Sequence, residues 1–169
     1  MQETITVGLT EIQPFRALAV RTPMTPDKSG TRKAWSELTA RIPLDDSRLS
    51  AGPSVYVFIP QEQWSGSVDT LWVGIAVDEF GDVPEGVERL EIGGGWCVTA
   101  EVYGDEEHMW RVYDAVFAWL RDSKEYELDT RAGVLGLETV PLEPVNALTV
   151  PYEAVRTFRF TILYPVRKR

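Results

Sequence analysis

Glu138 carries the most chemical promise in this chain, in the run Ala132-Gly133-Val134-Leu135-Gly136-Leu137-Glu138-Thr139-Val140. The run is apolar apart from the carboxylate and the threonine beside it. On the two-residue period of a strand, Glu138 shares a face with Val134, Gly136 and Val140. If that face borders a cleft, the carboxylate is partly desolvated and its pKa rises unless a cation or hydrogen-bond donors pair with it. A lone acid among aromatic rings suits a lipophilic cation, through charge pairing and cation–π contacts of ~0.5–2 kcal/mol each. The alternative environment is a solvated carboxylate near a strand end. A second group is aromatic. Trp72 alternates with Gly74 and Ala76, so a large ring beside two small residues forms either the wall and floor of a pocket or simple packing against the rest of the chain. Tyr56 and Phe58 share one face of the preceding strand, and with Trp72 they are the expected lining of the cleft that holds Glu138.

Other reactive side chains fall into no catalytic or metal-binding pattern. His108 is the single histidine, sits in the first turn of an expected helix, and has no cysteine or second histidine nearby in sequence. It reads as exposed or capping, and no metal or cofactor is expected. Gly93-Gly94-Gly95 precedes a strand and lacks a following Lys-Ser/Thr, so a tight turn is expected there in place of a phosphate loop. No Gly-x-Ser-x-Gly elbow is present. Cys97, the one cysteine, lies in a strand between Trp96 and Val98 and reads as a structural thiol.

Bulk properties narrow the class further. The 169 residues are 44% hydrophobic and 25% charged, which fits a single globular domain spanning residues 1–169. The net charge of −9 disfavours direct nucleic-acid binding, which needs clustered Lys and Arg against phosphates. An acidic surface attracts cations more readily than anions. No apolar run approaches the ~20 residues of a membrane span, so no membrane association is expected. Met1-Gln2-Glu3-Thr4 does not open a signal peptide, and a lone cysteine fits a reducing cytoplasm.

The elements that must position these groups occur twice. A strand, helix, strand, strand layout spans about 4–78 and again about 88–166. The first copy has Arg16–Val20, a helix with Trp35, Leu38 and Ile42 on one face, then Val55–Ile59 and Leu71–Val77. The second has Trp96–Ala100, a helix with Met109, Val112, Val116 and Trp119-Leu120 as its stripe, then Val134–Val140 and Phe158–Val166. Asp27, Ser29 or Thr31 would cap the first helix. Asp105 would cap the second, with Glu106 and Glu107 in its first turn. Trp110, Tyr113 and Phe117 flank the second stripe. The resulting expectation is an α+β fold of duplicated βαββ units with antiparallel sheets. A pseudo-twofold relates the units, two long helices lie on one side, and a central cleft forms at the seam. A complete internal pair leaves little need for a partner, so a monomer or weak dimer is expected.

Several of these segments resemble the gyrase-inhibitor-like (GyrI-like) effector-binding family in order and spacing. They are Val83-Pro84-Glu85-Gly86-Val87-Glu88, Ile92-Gly93-Gly94-Gly95-Trp96 and Val102-Tyr103-Gly104, followed by the helix close Val116-Phe117-Ala118-Trp119-Leu120. Leu135-Gly136-Leu137-Glu138, the terminal Ile162-Leu163-Tyr164-Pro165-Val166 and Trp72-Val73-Gly74-Ile75 in the first half complete the set. The resemblance runs from about Thr6 to Val166. It implies a cleft for drug-like, often cationic and aromatic molecules, with Glu138 as a principal contact, in a standalone member without the DNA-reading part of related regulators. Two positions depart from the pattern: Val140 stands where an aromatic is common, and Asp105 where a bulkier residue or proline is. Some relatives hydrolyse reactive small molecules, and for that alternative Glu138 would be a general base toward water.

Overall fold

Alternation in Phe15–Pro23 fixes the two faces of the whole sheet. Leu18 and Val20 point to one side and Ala17 and Ala19 to the other, and all four are buried. In a computed structural model the described residues are 5–24, 29–50, 55–65, 68–141 and 156–169. Their strands are β1 (Gly8–Ile12), β2 (Phe15–Pro23), β3 (Val55–Pro60), β4 (Thr70–Val77), β5 (Glu88–Ile92), β6 (Gly95–Gly104), β7 (Tyr126–Leu128), β8 (Leu135–Val140) and β9 (Phe158–Lys168). Two helices, α1 (Ser29–Arg41) and α2 (Glu106–Asp122), and a short 3-10 turn (Gln61–Ser65) complete the described elements. The fold is mixed α+β around an antiparallel sheet.

The helices form where their apolar stripes predict. Buried Ala34, Trp35 and Leu38 seat α1 on β2 and β4. Met109, Val112, Val116 and Leu120 seat α2 on β6 and β7. Asp105 caps α2, its carboxylate accepting from the His108 backbone N–H at 2.8 Å. Asp27, the first capping candidate for α1, lies outside the described residues, while Ser29 and Thr31 fall within the helix itself. Both helices cover one face of the sheet, sharing a continuous core with Leu18, Val73, Ile75, Val98, Val102 and Ile162. Trp35 is buried in that core and Trp119 packs against it. The other face carries a smaller cluster around Ala17, Phe58, Ile92 and Leu137, to which neither helix contributes.

Strand order is β1-β6-β9-β8-β3-β4-β2-β5, with β7 paired to β9. It reads the same from both ends when β1 is matched with β5, β2 with β6, β3 with β8 and β4 with β9. Each half therefore opens with a strand that the expected layout lacks, β7 being a further addition in the second half, and that first strand pairs with the opposite half: β1 with β6, and β5 with β2. The registers agree residue by residue, since Ile12 opposite Gly95 corresponds to Ile92 opposite Phe15. Following the ladders inward, Val20 pairs with Val73 and Val73 with Val57, while Ala100 pairs with Ile162 and Ile162 with Glu138. Val57 and Glu138 are thus counterparts, and they stand opposite each other across the pseudo-twofold axis between β3 and β8.

The edges of this order come close together. Gly94, in the turn after β5, has φ +76°, and a Cβ there would lie 2.8 Å from the Ile12 carbonyl and the Pro14 nitrogen at the end of β1. The sheet is therefore strongly curved, and the triple-glycine segment is the tight turn its sequence implies. Cys97 lies fully buried within β6, where desolvation pushes its thiol up to about 12. A thiolate at that pKa is negligible at pH 8, so the native protein should resist thiol reagents such as iodoacetamide and react only once unfolded. Mass spectrometry of labelled native protein showing rapid modification would contradict this structural role.

Candidate ligand-binding cleft

Facing side chains at the centre of the sheet are set by a single register. Val57 is paired with Glu138, and cross-strand partners point to the same face, here the face covered by the helices. Ile59 joins them from β3 by the two-residue period, and Tyr164 from β9. On α2 the residues Trp110, Tyr113, Asp114 and Phe117 follow the i, i+3, i+4, i+7 pattern and form one flank of the helix above these strands. Met24, Trp64 and Val68 close the other side. Together they enclose a cleft of about 370 Å³, within the size range of small-molecule sites.

Glu138 lies in this cleft and is held firmly. Its Oε2 accepts a hydrogen bond from the Tyr113 hydroxyl at 2.7 Å and another from the Tyr164 hydroxyl at 2.6 Å. Donors aimed at one carboxylate oxygen stabilise the charged form. Tyr164 is itself fully buried, and its hydroxyl is pushed well above the ordinary tyrosine range, first by desolvation and then by the Glu138 charge. It therefore stays a proton donor across physiological pH. Trp64 packs against Phe117 with ring centroids 5.5 Å apart and against Tyr164 at 5.8 Å. Tyr113 lies 5.7 Å from Trp110 and 6.1 Å from Phe160. The carboxylate thus sits at the base of an aromatic enclosure.

Trp72, Tyr56 and Phe58 do not share that enclosure, contrary to the expectation from sequence. Because Val57 faces Glu138, the even-numbered neighbours Tyr56 and Phe58 point to the opposite face, where they stack at 5.7 Å. Phe15 packs on Tyr56 at 5.1 Å, and Phe58 is fully buried. Trp72 is on that face too, beneath the Arg21 guanidinium at 5.1 Å, with its indole N–H donating to Glu88 at 3.3 Å. The volume that Gly74 seemed to leave beside Trp72 is filled, since a Cβ there would come within 3.0 Å of the Phe58 ring. Sequence reasoning missed Tyr164 as a partner of Glu138 and Trp64 and Asp114 as lining groups, and it had Trp110, Tyr113 and Phe117 only as the flank of a core helix. That flank, a second aromatic stripe at helical spacing, was the available signal.

A second cavity of about 420 Å³ lies by the Gly93–Trp96 turn and the 131–135 segment, away from Glu138. Its buried acid, Asp129, is already matched by a bidentate contact with Arg131, at 2.8 and 2.6 Å, so it offers no unsatisfied charge. Among the described residues no group of three or more His, Cys, Asp or Glu side chains is placed to hold a metal ion. His108 uses its ring Nε2 to accept the Tyr103 backbone N–H at 3.2 Å, which makes it part of the helix entry. No described helix is long and apolar enough to cross a membrane.

The family model of the GyrI-like small molecule binding domain matches residues 6–134, ending just before the strand that carries Glu138. No curated protein sequence matches the chain. Among solved structures, the C-terminal domain of EcmrR superposes with a TM-score of 0.71 at 17% identity, covering 99% of this chain and 100% of that one. In the EcmrR–DNA complex the same likeness spans 58% of the regulator chain. A hydrolase encoded by lin2189 from Listeria innocua matches with a TM-score of 0.58 at 14% identity, over 95% of this chain and 91% of that one. SAV2435, bound to tetraphenylphosphonium, matches with a TM-score of 0.58 at 10% identity, over 96% and 94%. At these identities the likeness is one of fold.

Proposed function

The chain belongs to the GyrI-like small-molecule-binding family, and from that premise we propose that it binds hydrophobic, cationic aromatic molecules in the cleft over β3 and β8. The observation that carries this reading is the Glu138 carboxylate, held by two tyrosine hydroxyls on one oxygen within a cleft walled by Trp64, Trp110, Tyr113 and Phe117. An ionised carboxylate in low-dielectric surroundings attracts a cation, and the ring faces add cation–π and stacking contacts to an aromatic one. The apolar members of the lining, Val57, Ile59 and Leu71, favour a ligand that sheds water easily. The tetraphenylphosphonium bound by SAV2435 is a cation of this kind.

The binding unit proposed is the whole chain, with repeats over about 4–78 and 88–166 contributing one strand each to the cleft floor. A complete internal pair leaves little need for a partner, and the proposed form is a cytoplasmic monomer or weak dimer. Light scattering at micromolar protein should give a mass no greater than a dimer. A hydrolytic role would use Glu138 as a base toward water. Two phenolic donors on its Oε2 make that oxygen a poorer base, which favours binding over turnover. The direct test is titration of the full chain with tetraphenylphosphonium, followed by tryptophan fluorescence. Trp64 and Trp110 line the cleft and are the expected reporters. Saturable binding near 1 μM, about −8 kcal/mol, is expected. A flat titration into the millimolar range would overturn the reading.

A further inference from the structure

The described cleft lining contains two carboxylates and no basic side chain. Glu138 is one. The other is Asp114, exposed on α2 and free of hydrogen bonds and ion pairs among the described residues. One turn before it on the same helix face stands Trp110, with 49% of its surface exposed. A carboxylate beside an aromatic face is the pair of groups that holds an organic cation.

Tyr113 connects this rim position to the inner one. Its hydroxyl donates to Glu138, its ring lies 5.7 Å from Trp110, and its backbone adjoins Asp114. Tyr113 thus stands between the two acids, its hydroxyl at Glu138 and its backbone next to Asp114, with the Trp110 ring beside it. A single cation would neutralise one charge and leave the other facing it. An elongated ligand with a positive head at each end would match both.

We propose, resting on the cation-binding reading above, that the cleft is a two-point site selective for flat, elongated dications. One head lies at Glu138, the aromatic middle runs along Phe117 and Tyr113, and the second head sits at Asp114 against Trp110. The inner subsite supplies most of the affinity. The rim subsite, which remains hydrated, supplies the preference for a second charge, about fivefold for a solvent-exposed pair.

Two probes separate the subsites: 1,1'-dibenzyl-4,4'-bipyridinium, a dication, and 1-benzyl-4-(4-benzylphenyl)pyridinium, its singly charged counterpart. Both are titrated calorimetrically into the full chain, into Asp114→Asn, and into Asp122→Asn, which alters an exposed acid of the same helix outside the cleft. The dication should bind the unaltered protein about fivefold more tightly than the monocation. Asp114→Asn should abolish that preference by weakening the dication, and Asp122→Asn should preserve it. Equal binding of the two probes, or a preference that survives Asp114→Asn, would overturn the two-point site while leaving the inner site standing. Loss of the preference in Asp122→Asn as well would assign it to bulk charge and also overturn the proposal. If neither probe nor tetraphenylphosphonium binds, the cation-binding reading fails and this proposal with it.

Discussion

Glu138→Gln should weaken tetraphenylphosphonium binding by roughly tenfold to a hundredfold, a loss of about 1.5–3 kcal/mol. The amide oxygen of glutamine can accept from both Tyr113 and Tyr164, so the floor of the cleft keeps its shape and its hydrogen bonds. Only the charge is removed. A neutral aromatic of similar size, triphenylphosphine oxide, should therefore lose little. If the cation and the neutral compound weaken together, the substitution has damaged the enclosure instead of discharging it. If neither weakens, Glu138 has no part in binding. The same variant addresses hydrolysis: a general base replaced by an amide would abolish turnover of a hydrolysable ligand and leave its binding nearly intact.

A large stability effect is expected at Gly74 in β4. A Cβ there would lie 2.8 Å from the Leu18 carbonyl, 2.9 Å from the Ala19 methyl and 3.0 Å from the Phe58 ring. All three neighbours belong to β2 and β3, which flank β4 on either side, so none can retreat without disturbing a ladder. Gly74→Val should cost about 3 kcal/mol, the upper end of ordinary overpacking, and lower Tm by roughly 10 °C. Thermal unfolding within a degree or two of the unaltered protein would mean that this side of the sheet yields more easily than its packing implies. Gly8, with open space around it, is the natural control, and Gly8→Ala should leave Tm nearly unchanged.

How much of this was legible in the sequence depended on the range of the interaction. The α2 stripe, its Asp105 cap and the strand alternation are local, so they appear in the structure nearly as expected. Glu138 stood out because an acid in an apolar strand needs a reason to be there. Its companions were hidden because they depend on register: shifting β3 by one residue against β8 would bring Tyr56 or Phe58 to the Glu138 face in place of Val57. Nothing local encodes that choice. Tyr164 was hidden for the same cause, reaching Glu138 only through the pairing of β9 with β8. Gly74 beside Trp72 was misread because small residues serve equally to open a pocket and to admit a neighbour's ring, and the neighbour lay on another strand.

The exchange of first strands bears on how the chain is made. β1 is synthesised early, yet its hydrogen-bonding partner β6 lies roughly ninety residues downstream. At ribosomal rates of ~5–20 residues per second, β1 waits on the order of ten seconds without its ladder partner. Nor can the first half finish its own sheet in that time, because its outer strand is β5, the opening strand of the second half. Assembly is thus held back until both copies of the repeat have emerged, and a ribosome-bound chain ending before Gly104 should remain sensitive to protease. The duplication joins two units that are obliged to fold together.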